Sequence, residues 1–336
     1  MDIGELGSRL QLGQATTWLH RIRGDPYAAV LCGFNDDPYP LYARVRARGR
    51  LWRSSLGTWV TADHGPAGAL LGIPAVTVRR PVGTPESLGK PAELPAARVE
   101  QVCRRVLDGL GRQFDLVTDL AERIPVELIG DLLDLPQPRR VRLAELVPSL
   151  STAMDSALCS QRLETERRML AALAELSEVE RAPAVADVRV TANLIANAVI
   201  ALLRHPDEAA KLAEDPSRAA LVIAETARWD PPVHIIALTV DADVEIDGQD
   251  IAARSDVAVL IVAANRDPGV FDGPERFAPD RTATAVLRAP FSHTHAEIAL
   301  RTIAPRLPGL HITGPVLRRR RAPVTRSPLR CPVATA

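Results

Sequence analysis

The chain has 336 residues, 46% of them hydrophobic and 24% charged, with 41 Lys+Arg against 41 Asp+Glu. That length supports one large core or two modest domains, and zero formal net charge leaves no global field to recruit nucleic acid or an acidic lipid surface. Cys32, Cys103, Cys159 and Cys331 lack CxxC spacing, which suits a reducing cytosol better than a disulfide framework.

Met1-Asp2-Ile3-Gly4-Glu5 has no basic start or apolar stretch. The longest apolar run, Val257 to Ala264, is far short of the about 20 residues a bilayer requires, so a cytoplasmic protein is expected. Residues 1–35 read as an amphipathic extension packing on the body, with Leu6, Leu10 and Trp18 near helical period. Asp37 and Pro38 cap and open a helix through Arg44. Trp52 to Ala62 alternates as a strand pair would. Between 72 and 97, Pro74, Pro81, Pro85, Pro91 and Pro95 with Gly83 and Gly89 argue for an irregular connection.

Arg98 to Ala182 reads as helical, broken at Pro125, Pro136 and Pro148. Ala186 to Arg204 is a long helix with Val190, Leu194, Ala198, Val199 and Leu202 on one face. Asp215-Pro216 opens a helix that carries Glu225 and Arg228 and stops before Pro231. Val244 to Gly248 is a strand and tight turn, Ser255 to Val262 a buried strand, and 298–307 the final helix. The tail 309–334 suggests a hairpin, with the run Arg318 to Arg321 on its solvated face. Helices outnumber strands, and nothing marks a domain boundary.

Three motifs lie in order: Glu225-Thr226-Ala227-Arg228 running into Trp229-Asp230-Pro231-Pro232, then Ala263-Ala264-Asn265-Arg266-Asp267-Pro268, then Pro274-Glu275-Arg276-Phe277. Each is weak alone. Together they resemble the cytochromes P450 over residues 36–75 and 110–317. The resemblance implies a mainly α fold with small β-sheets and one domain over 36–336, with 72–97 shortened. Glu225 and Arg228, at i and i+3, can pair on one helical face. By resemblance Arg276 is the third member of that structural cluster.

The departures concern haem. From Pro274 to Pro308 there is neither glycine nor cysteine, so the loop near 282–296 reads as deleted and the thiolate position falls on Val286. The acid–alcohol pair that activates oxygen in the family aligns with Arg189 and Val190. The basic residue that grips a haem propionate aligns with Leu238. No His lies between His64 and His205 to make the second propionate contact. The resemblance therefore implies no haem, no redox partner, no catalytic residues and no cofactor. His293 and His295 could in principle ligate a metal from a strand or loop, but ordinary surface histidines are the favoured reading.

Segments outside the general P450 match narrow the resemblance. Gly24-Asp25-Pro26-Tyr27, Leu31-Cys32-Gly33, Asp36-Asp37-Pro38, Ser54 through Trp59-Val60 and Ala62-Asp63-His64 are similar to the haem-less P450-like auxiliary proteins of deoxysugar glycosyltransferases. So are Gly314-Pro315-Val316, Arg318 to Arg321, Pro323-Val324 and Arg330-Cys331-Pro332-Val333. That resemblance implies a non-catalytic activator of a GT-B glycosyltransferase in macrolide or related polyketide biosynthesis, assembled with it as a heterotetramer. Trp18 and Tyr27 are the contact candidates, because hot spots favour Trp, Tyr and Arg; core packing is the commoner fate of such rings. Two rivals are a sugar-nucleotide 3,4-ketoisomerase, which would need an acid–base pair not visible here, and a haem protein ligated through His293 or His295.

Overall fold

The first two helices start at aspartates that cap them. In the computed structural model, which describes residues 2–34, 37–79, 94–282, 285–286 and 290–335, Asp2 caps α1 (Ile3–Ile22) and Asp25 caps α2 (Pro26–Leu31). One Asp25 oxygen accepts from the amides of Tyr27 and Ala28 at 2.9 and 3.1 Å; the other accepts from Ser54 Oγ and the Ser55 amide at 2.6 and 2.7 Å. A single carboxylate thus starts the helix and pins it to the turn of the first hairpin. Burial works against its charge, but these hydrogen bonds outweigh it and lower its pKa.

The next helix, α3 (Tyr39–Arg46), begins one residue after Pro38, and Asp37 accepts from the Tyr39 amide at 3.0 Å. The expected strand pair is β1 (Trp52–Arg53) with β2 (Trp59–Thr61), followed by α4 (His64–Gly72) and β3 (Val76–Val78). Asp36, Pro81, Gly83, Pro85, Gly89 and Pro91 lie outside the described residues. After α5 (Ala96–Asp108), the stretch expected to be wholly helical contains a strand, β4 (Gln113–Asp115). Among its helices, α6 (Arg123–Leu132) contains Pro125 in its first turn and α7 (Gln137–Leu150) runs through Pro148, so only Pro136 marks a break. A proline in the first turn removes no intrahelical donor; Pro148 does remove one, and the helix continues only two residues beyond it.

Three shorter helices, α8 (Ala153–Ser156), α9 (Leu163–Ala174) and α10 (Glu178–Ala182), lead into α11 (Val188–Arg204). By length and composition the stretch 178–204 could cross a membrane, which the apolar-run reading overlooked. It is a core helix here: 83% of its most apolar window is buried inside the protein. Both α12 (Pro206–Glu214) and α13 (Ala219–Trp229) follow, then β5 (Ile235–Val240), the hairpin β6 (Val244–Ile246) and β7 (Gln249–Ile251), β8 (Asp256–Leu260) and the short α14 (Ile261–Ala264).

A five-stranded sheet runs β1-β2-β8-β5-β3, with β2 and β8 parallel and the other neighbours antiparallel. Side chains alternate across it. Val257 and Val259 enter one core with Leu238 and Val240, while Ala258 and Leu260 enter another with Val60 and Ile235. The largest core is helical, built around α11 with α5, α13 and α15 (Pro290–Ile303). That last helix begins eight residues before the expected 298, and 304–309 is a 3₁₀ turn. In the tail, β9 (Leu310–Ile312), β10 (Leu317–Arg318), β11 (Pro328–Arg330) and β12 (Pro332–Thr335) form two small sheets. Here β10 pairs with β11, and β12 lies between β4 and β9.

Candidate functional site

The helix α13 places Glu225 and Arg228 on one buried face, their side chains 3% and 1% exposed. Arg228 Nε and Nη2 donate to the two Glu225 oxygens, both at 2.7 Å. The remaining donors reach the carbonyls of Asn265 (3.0 Å), Pro274 (2.9 Å) and Arg276 (2.9 Å). All five guanidinium N–H groups are used, and one side chain joins α13 to the end of α14 and to the loop beyond it. Trp229 adds an indole bond to the Glu275 carbonyl at 2.8 Å and packs on Phe277 and His205.

Arg276 corrects the expectation. Its side chain is exposed, and only its carbonyl joins the cluster. The second arginine beside Glu225, after Arg228, is Arg281, with Nε 3.6 Å from Oε1 and its side chain 12% exposed. Its other nitrogens bond the carbonyls of Asp272 and Gly273. The charge cluster is therefore Glu225, Arg228 and Arg281. The signal that could have found it is a second arginine five residues along the same irregular loop.

The positions aligned with haem chemistry are occupied by structural contacts. Arg189 is 2% exposed and donates from Nη1 to Glu122 at 2.9 Å, tying α11 to the segment leading into α6. Leu238 is buried on β5, one strand in from the β3 edge, in register with Val257 on one side and Val78 on the other. Val286 donates its amide to Asn265 Oδ1 at 2.8 Å and packs against the sheet-side core. Val190 lines an apolar cavity of about 300 Å³ with Ile235, Ile236, Ile261 and Val324. That volume is at the low end for drug-sized ligands and small for a porphyrin. A haem of the P450 kind does not fit these residues: Val286 offers no sulfur, Leu238 no cation, and Val190 no hydroxyl.

His293 and His295 lie on α15, not in a strand or loop, and neither is an ordinary surface histidine. His293 is half-buried on the apolar cavity; His295 is buried, which pushes its pKa down to about 4. Two residues apart on a helix point about 200° away from each other, so they cannot converge on one ion. No cluster of three metal-ligating side chains occurs among the described residues. Cys331 is fully buried beside β4, with its thiol raised to about 11 by burial.

A buried network escaped the sequence reading. His234 is wholly buried, its Nδ1 3.1 Å from Tyr42 Oη and its Nε2 3.3 Å from Asp230 Oδ1. Arg318 bonds the other Asp230 oxygen. Burial alone would raise the Asp230 carboxyl, but Arg318 and His234 hold it well below the usual carboxylate range. Burial dominates at His234 and pushes it down to about 4, so its ring is neutral at pH 7. The run Arg318 to Arg321 is correspondingly not a solvated face: Arg320 alone is exposed, and Arg321 bonds the Ser160 carbonyl at 3.0 Å. Arg321 also packs so tightly on Gly33, at φ +62°, that a Cβ there would lie 2.9 Å from the Arg321 backbone.

The two contact candidates separate. Tyr27 is 1% exposed inside the core under the sheet, so its ring is not available to a partner. Trp18 is 57% exposed on α1, against the core-packing preference, with Leu12, Leu19 and Ile22 also exposed on that helix. The opposite side of α1 is anchored by Leu6 and Leu10 and by Gln14, which donates to the Gln161 carbonyl at 2.8 Å.

A mainly helical body, a buried Glu–Arg frame under α13 and a ligand position without sulfur define a cytochrome P450 fold unfitted for its usual cofactor. The cytochrome P450 sequence profile matches residues 189–286. Protein DesVIII of Streptomyces venezuelae is 38% identical over 99% of this chain and 94% of its own length. Cytochrome P450 family protein EryCII of Saccharopolyspora erythraea is 35% identical over 99% and 98%. The crystal structure of Mycobacterium smegmatis CYP164A2 in its ligand-free state superposes with a TM-score of 0.77, covering 92% of this chain and 99% of that one at 24% identity. The chain belongs to the cytochrome P450 family, and its full-length likeness to DesVIII and EryCII places it beside those two proteins.

Proposed function

We propose that this chain is a non-catalytic auxiliary protein. In this reading it binds a GT-B glycosyltransferase that transfers a deoxysugar in macrolide or related polyketide antibiotic biosynthesis, and activates it as a cytoplasmic heterotetramer. The observation that carries the reading is the division within one site. The Glu225–Arg228 frame keeps every donor satisfied, while Val286, at the ligand position, is docked into the core. The fold is maintained where it supports shape and altered where it would support oxygen chemistry.

The likeness to DesVIII and EryCII supports the reading because it reaches both ends of the chain, beyond the P450 profile at 189–286. A binding protein needs no chemistry of its own. It raises the population of its partner's competent state by its differential affinity for that state, and a few kcal/mol suffices. The exposed face of α1 around Trp18 is the surface assigned to that contact.

Co-expression with a deoxysugar glycosyltransferase, with sugar transfer measured in the presence and absence of this chain, tests the proposal. Transfer that depends on the chain, with no absorbance in the Soret region, is the expected result. Transfer indifferent to the chain, or a stoichiometric haem band, would overturn it.

A further inference from the structure

The outer face of α1 has a period as well as an apolar surface. Leu12, Ala15, Leu19 and Ile22 stand at i, i+3, i+7 and i+10, and all four are exposed, Leu12 the most, at 69%. Trp18 borders them, so the apolar arc spans about 120° of the helix. Leu6, Leu10 and Gln14, which hold α1 to the body, lie on its other side. Alternating steps of three and four are those of a coiled-coil seam, whose holes accept the side chains of a facing helix. From Leu12 to Ile22 the seam runs about 15 Å.

The charge around the seam has one sign. Between Leu6 and Gly24 the sequence holds Arg9, His20, Arg21 and Arg23 and no carboxylate. Arg9 and Arg23 flank the seam on the edge away from Trp18. Among the described residues neither side chain makes a hydrogen bond or an ion pair. Arg9 acts on the buried Glu166 only through space, Ser156 Oγ donating to that carboxylate at 3.1 Å. A second copy of this chain is a poor cover for such a seam. Paired parallel, Arg9 and Arg23 would each meet their own counterpart; paired antiparallel about the middle of the seam, Arg9 would meet Arg23. Like charges on the flanks select against both arrangements and for an acidic partner.

We infer that α1 receives an α-helix of the glycosyltransferase, with an apolar heptad seam seated on Leu12, Ala15, Leu19 and Ile22 and acidic side chains paired with Arg9 and Arg23. The inference rests on the partner reading above and adds the secondary structure and charge of the element that docks. The whole protein is titrated calorimetrically with the co-expressed glycosyltransferase at low and high salt. Leu19→Asp should weaken binding about tenfold or more at any salt. Arg23→Glu should weaken it at low salt, chiefly by slowing association, and the loss should shrink as salt screens the rim. Both positions are exposed, so thermal midpoints should match wild type, and Arg301→Glu, exposed on α15, should bind normally. A benzophenone photo-crosslinker in place of Leu12 or Leu19 should capture sites about seven residues apart in one segment of the transferase. Transfer that still depends on the chain, with binding unchanged by Leu19→Asp and Arg23→Glu, overturns this inference and leaves the activator reading standing. A transferase neither bound nor activated overturns both. Self-association of the chain, or binding to phosphatidylserine vesicles, that Leu19→Asp abolishes would give the face another occupant and also overturn the inference.

Discussion

The reassigned charge cluster under α13 makes an ordered prediction for three alanine substitutions. Arg228→Ala removes five hydrogen bonds and leaves Glu225, 3% exposed, as a buried charge with its best partner gone. Breaking one side of such a pair costs about 3–5 kcal/mol. Arg281→Ala loses the bonds to the Asp272 and Gly273 carbonyls and a charge 3.6 Å from Glu225. Solvent reaches one end of that arrangement, and about 1–2 kcal/mol is expected. Arg276→Ala trims an exposed side chain whose carbonyl, the part that matters, any residue supplies; the change should stay within about 0.5 kcal/mol. Urea unfolding followed by far-ultraviolet circular dichroism ranks the three. If Arg276→Ala destabilises as much as Arg281→Ala, the assignment of the third charge is wrong.

Tyr27→Ala should cost about 3–5 kcal/mol of stability, as for a large aromatic removed from a packed core, whereas Trp18→Glu should leave the unfolding midpoint unchanged and weaken glycosyltransferase binding in a pull-down. A Trp18→Glu protein that unfolds early would place that ring in the core after all. Acid titration offers a separate check through Asp155, which is buried and pushed up to about 6 by desolvation against its bonds from Thr325 and Val324. Because the folded pKa lies above the unfolded one, the folded state binds the extra proton between about pH 3.8 and 6, and Asp155 adds stability as pH falls through that window. Wild type should therefore gain on Asp155→Asn by up to about 1.4 kcal/mol per pH unit below pH 6. A difference that is constant with pH would refute the sign.

Local features were legible in the sequence; features decided by distant packing were not. Glu225 and Arg228 could be paired from their spacing because three residues on a helix are neighbours whatever surrounds them. The third arginine could not, since 272–281 is irregular and only the folded loop decides whether residue 276 offers its carbonyl or its guanidinium. Trp18 sits eight residues past Leu10, hence about 80° around the helix, and that drift carries it off the buried face. The strand Gln113–Asp115 is too short for alternation to register; its existence depends on residues 332–335 arriving to pair with it. Pro290 was the missed signal for α15, being a residue suited to a helix's first turn. Arg318 to Arg321 looked like a solvated charge run because the sequence does not show that Asp230 and Ser160 lie under it.

The position of β12 between β4 and β9 sets the order in which this protein can be completed. Asp115 accepts from the Cys331 amide across 216 residues of chain, and Leu116 donates to the Cys331 carbonyl at 2.9 Å. During synthesis, the edge beside α5 and α6 stays open until the chain has grown 216 residues past Asp115. Nascent chains of this protein should expose that edge to chaperones and proteases throughout elongation. A deletion of a few residues around 332–335 should act less like a trimmed tail than like the loss of a keystone, leaving helices in place with no strand to close them.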